Sequence, residues 1–375
     1  MSILKKIKTV MNRLFPLFTK IMLPISVLCL GISVAARCSS TFADGFNRYV
    51  SSFVRAILSY LTAWIPFSVA ETILLFLPVL IICIVVVCIR KIRKDDNAER
   101  FLGTMFGVVL LMFSLFTLTT GVAYKTSPIE DKLNMDRREV SASELFDTAQ
   151  ILVQQINNAC SDVRFSYMSF SDMPYDLDGL SAKLCDAYKA ASKKYDFLPA
   201  LSVRVKPIML SEPMTYTHIS GIYTYFTGEA NINMNFPDYT IPYTTAHEMA
   251  HQRGVIREDE ANFMAFLVCL ESDDPYIRYS ALLNMYEYVA SALYSADSEK
   301  YYDTVSGLDL QVRYEMQAYR EFYEKYQHTV VSNVSDSMND FYLKSQGQAA
   351  GSRSYGQVVD LAVAYFREMT ESESK

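Results

Sequence analysis

His247, Glu248 and His251 form an H-E-x-x-H motif, the part of this chain best suited to chemistry. The sequence holds only four histidines, and two of them are in the motif. On a helix, side chains at positions i and i+4 lie one above the other, so both imidazoles can bind one zinc ion. Glu248 then lies where it can take a proton from a zinc-bound water. The motif therefore predicts metal-assisted hydrolysis, with His247 and His251 as Zn²⁺ ligands and Glu248 as the catalytic base.

The third zinc ligand must come from outside the motif, because a catalytic zinc site has three protein ligands and one open position. In the longer pattern H-E-x-x-H-x-x-G-x-x-H a third histidine would stand at position 257, but this chain has Arg257 there. Gly254 is predicted to end the motif helix, since glycine accepts the left-handed conformation that follows a helix. A second helix then opens with Glu258, Asp259 and Glu260, as the helix dipole favours. This acidic cluster is expected to supply the third ligand.

The second helix resembles a known metallopeptidase motif. Its sequence Glu258-Asp259-Glu260-Ala261-Asn262-Phe263-Met264-Ala265 is similar to the E-x-E-A-D-x-x-A motif of the gluzincins, particularly the membrane-bound endopeptidases of the CAAX-protease and bacterial heat-shock-protease type. The resemblance implies that Glu258 is the third zinc ligand, with Glu260 as the competing residue. Asn262 stands where the family has an aspartate, and its amide can still accept a bond from a histidine N–H.

A second resemblance concerns a longer part of the chain. The block from Gly221 to Leu270, together with three apolar segments before it, resembles an uncharacterised family of bacterial membrane proteins, domain of unknown function 3810. This resemblance implies a membrane protein but brings no substrate with it.

Three apolar segments predict that the candidate site belongs to a membrane protein. Spans are predicted at about residues 14–36, 70–89 and 101–124, because these segments are nearly free of charge and can cross about 30 Å of hydrocarbon. Hydrophobic residues make up 51% of the chain, and its mean hydropathy is +0.10. An alternative for the first segment is a cleaved signal peptide ending near residues 34–36. Residues 1–124 are thus the predicted membrane region.

Basic residues predict the orientation of these spans. The amino-terminal stretch carries Lys5, Lys6, Lys8, Arg13 and Lys20. The connection between the second and third spans carries Arg90, Lys91, Arg93 and Lys94. Such clusters stay in the cytoplasm. Three spans then leave everything after Tyr124 on the outer face of the cell membrane, and cleavage of the first segment would not change this.

Residues 44–64, between the first two spans, are predicted as an amphipathic helix. Its apolar stripe consists of Phe46, Val50, Phe53, Ile57 and Leu61. Arg48 and Arg55 lie off this stripe. One interpretation is a helix lying in the outer membrane interface. The other is a helix packed on the spans or on the soluble domain, and the pattern is equally compatible with both.

The rest of the chain is predicted as a polar linker, residues 125–140, followed by a mostly helical, zincin-like metallopeptidase domain with a small sheet, residues 141–375. The fold class is therefore α+β. Helices are predicted at Ser141–Asn158, Leu177–Lys194, Tyr276–Ser295, Leu308–Gln327, Ser332–Ser345 and Gly356–Met369. A strand is predicted over Leu201–Ile208, and alternating residues predict short strands between Ser220 and Asn235.

One of these strands could bind substrate. In zincins an extended strand beside the cleft pairs with the peptide, and Glu229–Asn235 is the candidate here because it lies just upstream of the motif helix. The alternative is an ordinary sheet strand with solvated asparagines. A further donor must stabilise the oxyanion of the transition state. His218, His328 and Tyr355 have suitable chemistry, but the sequence carries no geometry to choose among them.

The sequence thus predicts a membrane-anchored zinc metalloendopeptidase that hydrolyses peptide bonds at the outer face of the membrane. Its expected partners are a peptide or protein substrate and the lipid bilayer. A net charge of −6 argues against nucleic acid. The alternative is a non-catalytic membrane-anchored sensor or binding module with a structural zinc site. Glu248 argues against that alternative, because a structural site needs no general base and closes its fourth position.

Overall fold

The structure is a computed structural model that describes residues 11–94, 98–166, 170–327, 329–346, 348 and 357–373. It is mostly helical and contains one small three-stranded sheet, as the sequence predicts. Several predictions concern residues outside the described ranges. They are the basic residues Lys5, Lys6 and Lys8 and the oxyanion candidates His328 and Tyr355.

Three helices are long and apolar enough to span a membrane. They are α1 (Leu17–Cys38), α4 (Val69–Arg93) and α5 (Ala98–Phe116), the last extended by a π-helical turn to Gly121. Helices α1 and α5 pack closely through small and hydroxylated side chains, as helices in membranes do. Thr19 Oγ1 donates to the carbonyl of Gly103 at 2.7 Å. The apolar window of α4 has no buried residue, so its surface is left for lipid.

The segment between α1 and α4 is an amphipathic helix with its polar face turned inward. It consists of α2 (Ser40–Phe46), a π-helical turn and α3 (Ser52–Ala63). Ser51, Arg55 and Ser59 are at most 1% exposed. The exposed side chains include Val50, Phe53, Ile57, Leu61 and Trp64. The polar face therefore packs on the protein. The predicted apolar stripe is left uncovered except for Phe46, which packs against the cluster of Ala36, Ala43 and Val122.

The soluble domain is built from helices around one core. They are α6 (Ile129–Leu133), α7 (Ala142–Cys160), α8 (Leu177–Lys194), α9 (Ser211–Thr215), α10 (Thr240–Arg253), α11 (Glu258–Leu270), α12 (Pro275–Ala296), α13 (Ser298–Gly307), α14 (Leu310–Glu324), α15 (Val330–Ser345) and α16 (Val358–Glu373). Each of the six helices predicted for this region corresponds to one of these. Helices α10 and α11 are the predicted motif helix and the helix that follows it, whereas α13 and the short helices α6 and α9 are additional.

Residues 125–140 are not a simple linker. They contain α6, and its first residue Ile129 is 1% exposed within the main core. Arg137 in the same segment pairs with Asp259 of α11 at 3.0 Å. The segment is therefore packed into the domain, because its apolar and charged side chains have partners there.

The sheet corrects two predictions about strands. Its order is β1-β3-β2, with β1 (Lys206–Pro207) parallel and β2 (Gly221–Thr224) antiparallel to β3 (Glu229–Ile232). The strand predicted over Leu201–Ile208 is only two residues long. The prediction that Glu229–Asn235 pairs with substrate is wrong, because β3 is the central strand and its backbone is already paired on both sides. The free edge belongs to β2.

A buried ion pair joins the sheet to the second membrane helix. The carboxylate of Glu229 accepts hydrogen bonds from the backbone N–H groups of Val69 at 3.1 Å and Ala70 at 2.9 Å, at the start of α4. It also pairs with Lys206, and both side chains are 1% exposed. The positive end of a helix dipole favours a carboxylate at this place. The sheet and α4 are thus held together directly.

Candidate metal centre

Helix α10 carries the H-E-x-x-H residues and is buried along its whole length. It ends at Gly254, whose φ of 94° is the left-handed conformation expected after a helix. The Gly254 N–H accordingly bonds back to the carbonyl of His251 at 3.0 Å. After a short turn, α11 begins at Glu258. Gly254 thus reverses the chain, so that the start of α11 returns to the histidines.

The structure brings His247, His251 and Glu258 together, with ligand atoms that all lie within 4.8 Å of one another. Glu258 Oε2 is 3.2 Å from His247 Nε2 and 3.5 Å from His251 Nε2. Atoms bound to one tetrahedral zinc at about 2.0–2.1 Å lie about 3.3 Å apart. The three side chains therefore have the spacing of a zinc site, and two histidines with one glutamate are a donor set of catalytic zinc sites.

Unpaired polar atoms support the same fit. Glu258 Oε2 and His247 Nδ1 are buried, and neither makes a hydrogen bond of normal geometry with a described residue, although Glu258 Oε2 lies close to both histidine Nε2 atoms. A buried polar atom without a partner costs about 1–3 kcal/mol. A cation bound by the two Nε2 atoms and Glu258 Oε2 would supply the missing partner of the carboxylate.

The orientation of His251 is set by a backbone carbonyl. Its Nδ1 lies 2.8 Å from the carbonyl oxygen of Val255. When Nδ1–H donates this bond, the lone pair of Nε2 is left for a metal. The sequence pointed to Asn262 for such a role, but no described hydrogen bond joins Asn262 to either histidine. Val255 could not be found from side-chain chemistry, because its part is played by the backbone of the turn after Gly254.

His251 and Glu258 shift each other's pKa values. Burial alone would lower the pKa of His251, but the Glu258 carboxylate outweighs it and raises this pKa to about 9. Burial alone would raise the pKa of Glu258, but the two histidines hold it at about 2. Without an ion, the pair is thus a protonated imidazole beside a carboxylate. A bound cation would replace that proton, as metal binding to histidine generally does.

The catalytic candidate Glu248 lies against the edge strand β2. Burial raises the pKa of Glu248, and a hydrogen bond from the backbone N–H of Tyr223 partly opposes this. A Cβ atom at Gly221 would lie 2.7 Å from both Cγ and Oε1 of Glu248. Only glycine therefore leaves room for the carboxylate at this position. The sequence analysis missed Gly221, since nothing in the local pattern shows which helix packs on the strand.

The outer edge of β2 is not paired with another strand among the described residues. On its inner side, the carbonyl of Ser220 accepts a bond from Asn233 N–H at 2.9 Å. Backbone groups alternate along an antiparallel strand, so those of Gly221 and Tyr223 point away from β3. The N–H of Tyr223 is the one that bonds Glu248. The open edge thus runs past the carboxylate of Glu248.

The other two carboxylates of the acidic cluster face elsewhere. Glu260 Oε1 accepts the backbone N–H of Ile129 at 2.8 Å and pairs with Arg257. Asp259 pairs with Arg137. Both therefore hold the segment 125–140 onto α11. Glu258 is the member of the cluster that reaches the histidines.

Of the oxyanion candidates, His218 is engaged by the other helices. Its Nε2 lies 3.1 Å from the carbonyl of Tyr326, and its Nδ1 lies 3.5 Å from Asp336. Tyr342 of α15 is a hydroxyl donor that the sequence analysis missed. Burial raises the pKa of Tyr342, a hydrogen bond with Tyr124 partly opposes this, and the charge of Glu258 adds to the rise. It lies 84 positions beyond Glu258 in the chain, so only the fold could reveal it.

Comparison with known proteins gives one match. The model of a family described as a protein of unknown function (DUF3810) matches residues 46–363. No curated protein matches, and no solved structure matches. The matched region contains the sheet, the histidine–glutamate cluster and two of the three candidate spans.

Proposed function

The chain belongs to the DUF3810 family, whose function is unknown, and from its own site we propose that it is a membrane-anchored, gluzincin-like zinc metalloendopeptidase. The observation that carries this proposal is the convergence of His247, His251 and Glu258 beside a fourth buried group, Glu248. A purely structural zinc site would use a fourth protein ligand and would need no spare carboxylate. The basic residues that flank the spans favour an outer location for this domain.

The residues divide the chemistry among them. His247, His251 and Glu258 would hold Zn²⁺, which supplies a Lewis acid for activating water and polarising a carbonyl. Glu248 accepts a proton from the attacking water and returns it to the leaving amine. Burial raises the pKa of Glu248, and a rise in this direction favours the return of the proton to the leaving amine. The hydroxyl of Tyr342 is the donor proposed to stabilise the oxyanion.

Substrate binding is assigned to β2. An extended peptide can add to an exposed sheet edge through main-chain hydrogen bonds. Here the edge runs past Glu248, whose carboxylate already accepts the Tyr223 N–H. A peptide would therefore pair with the remaining outward-facing groups, those of Gly221 and the Tyr223 carbonyl, and would lie beside Glu248. An edge of this kind does not require a free peptide terminus. This supports an endopeptidase rather than an exopeptidase.

The test uses the full chain purified in detergent. Wild-type protein should carry about one zinc per chain by elemental mass spectrometry and should cleave members of a peptide library. Glu248→Gln should keep the zinc and lose hydrolysis, because the amide cannot accept the proton. Glu299→Gln, an exposed glutamate on α13, is the matched control and should retain both properties.

Two results would contradict the proposal in different ways. Wild-type protein purified without chelators that contains no zinc would exclude the metal site. Zinc-loaded protein that cleaves no peptide, in a library where a known metallopeptidase is active, would favour the alternative of a sensor or binding module with a structural zinc.

A further inference from the structure

Helix α15 presents an uncovered apolar stripe. Val331, Val334, Met338 and Phe341 are 52%, 53%, 68% and 75% exposed. Their spacings of three, four and three residues place them on one face of the helix. Four large apolar side chains in a row on one exposed helix face are a contiguous patch of the kind that marks an interaction surface.

The opposite face of α15 is attached to the protein mainly by polar groups. Ser335 Oγ donates to the carbonyl of Thr217 at 3.0 Å, and Asp336 lies beside His218. Leu343 is buried, with 0% exposure. A helix that packs on a water-soluble core normally turns its apolar stripe inward. In α15 the arrangement is reversed, and its apolar stripe is not covered by the residues that the structure describes.

The position of α15 indicates what covers it. Its carboxyl end is tied to the residues that directly follow the third candidate span. Tyr342 Oη is 3.4 Å from Tyr124 Oη, and Lys125 Nζ donates to the carbonyl of Gln346 at 2.9 Å. The π-helical turn that completes the span ends only three residues earlier, at Gly121. The end of α15 is therefore at the level where this span leaves the bilayer.

Helix α3 has the same reversed polarity at the same membrane face. Its polar residue Arg55 is buried and donates to the carbonyl of Thr119 at 2.6 Å, just before the end of the third span. Its exposed side chains include Phe53 at 65% and Trp64 at 79%. Because three spans alternate in direction, the α2–α3 segment and the domain after the third span must lie on one side of the membrane. Both apolar stripes thus belong to that side.

We propose that α15 lies in the bilayer–water interface, with Val331, Val334, Met338 and Phe341 inserted among the lipids and α3 as a second point of contact. A helix with one apolar face and one polar face binds lipid in this way. Continuity with the membrane spans favours lipid over a second copy of the chain, since both stripes adjoin span ends.

The single tryptophan of the chain, Trp64, allows a direct test. The full chain is reconstituted in phosphatidylcholine vesicles that contain lipids brominated in the acyl chain, which quench nearby indoles. In a Trp64→Phe background, Phe341→Trp should lose most of its fluorescence. Tyr302→Trp in the same background is the control. Tyr302 is 61% exposed on α13, and its indole should keep its fluorescence.

The outcomes separate lipid from other partners. Quenching at position 341 but not at 302 supports the proposal, and Met338→Trp provides a second probe if Phe341→Trp does not fold. An indole at 341 that acrylamide quenches and brominated lipid does not is in water, which overturns the proposal. An indole shielded from both is covered by protein, such as a second copy, which also overturns it. None of these measurements depends on zinc or on peptide cleavage.

Discussion

Glu258 is a candidate metal ligand, whereas Glu260, two residues later on α11, is a structural carboxylate. At about 100° per residue, Glu258 and Glu260 point roughly 200° apart around the helix, so they cannot have the same role. Glu258 meets the two histidines, while Glu260 meets Arg257 and the start of α6. The helical phase that assigns these roles can be worked out from the sequence once the helix start is known.

The first prediction exchanges these two carboxylates for amides. Glu258→Gln should lose zinc or bind it much more weakly, because a neutral amide replaces the charged ligand. Glu260→Gln should keep zinc but lower the thermal stability, since it weakens the buried pair with Arg257. Hydrogen bonds to charged groups contribute about 1.5–3 kcal/mol each. Zinc content and melting temperature of the two purified variants are the measurements. A zinc-free Glu260→Gln beside a zinc-loaded Glu258→Gln would reverse the assignment.

Residue chemistry in the sequence brought together His247, Glu248 and His251. A family resemblance pointed to Glu258 and left Glu260 as a competitor, and the surroundings of the site could not be predicted. The i, i+4 spacing of the histidines and the stop at Gly254 follow from local helix geometry. The contributions of Val255, Gly221 and Tyr342 to the site cannot be derived from local helix geometry. They depend on a backbone carbonyl, on the space beside a strand and on a helix far along the chain.

Among the secondary-structure elements, the sequence pattern could not show which strand lies at the edge of the sheet beside the motif helix. Alternation in the sequence predicts strands between Ser220 and Asn235, and the structure contains two there. Which of them lies at the edge depends on β1, because its two residues cover the outer side of β3. A strand of two residues, such as β1, leaves almost no signal in the sequence.

A second prediction concerns the packing of β2 on the motif helix. Gly221→Ala should reduce kcat for peptide hydrolysis while zinc content is unchanged, because the new methyl group would displace the Glu248 side chain. Gly45→Ala is the matched control. A Cβ at that position meets nothing within 4 Å, and hydrolysis should be unaffected. Full activity of Gly221→Ala would show that Glu248 does not need its observed position.

A third prediction concerns the start of α7, where Ser141 and Glu144 form a capping box. Hydrogen bonds from Ser141, backbone first, and the charges of Arg367 and Arg138 lower the pKa of Glu144 to about 2. A carboxylate with a lowered pKa in the folded state stabilises it above the ordinary value near 4.5. That stabilisation is lost as the pH falls towards 2.

Glu144→Ala should therefore lower the melting temperature at pH 7, by an amount equivalent to about 1 kcal/mol for a lost cap. The difference from wild type should shrink between pH 4.5 and pH 2. The exposed Glu139→Ala serves as control and should show little difference at either pH. A difference that stays constant down to pH 2 would mean that the charge of Glu144 does not matter.

For the whole molecule, the side of the membrane decides which substrates are accessible. Our proposal is that all three candidate spans cross the membrane, which would put the α2–α3 segment and the domain in the same compartment, with the basic residues around Arg90 on the opposite, cytoplasmic side. A fourth prediction follows from this. A reporter that is active only outside the cytoplasm should work when fused after Lys375 and should be silent when fused at Asp95. The reverse pattern would place the candidate site in the cytoplasm.

The buried pair of Glu229 and Lys206 joins the sheet to the start of α4, which is a candidate membrane span. Glu229 holds the first N–H groups of α4, and it belongs to the strand that pairs with β2. A spanning helix changes its tilt when the thickness of the bilayer changes. Such a movement of α4 cannot occur without pulling on β3 or breaking its bonds to Glu229. In the proposed membrane topology, Glu229 would thus connect a change in the bilayer to β3, and through β3 to the strand that positions Glu248.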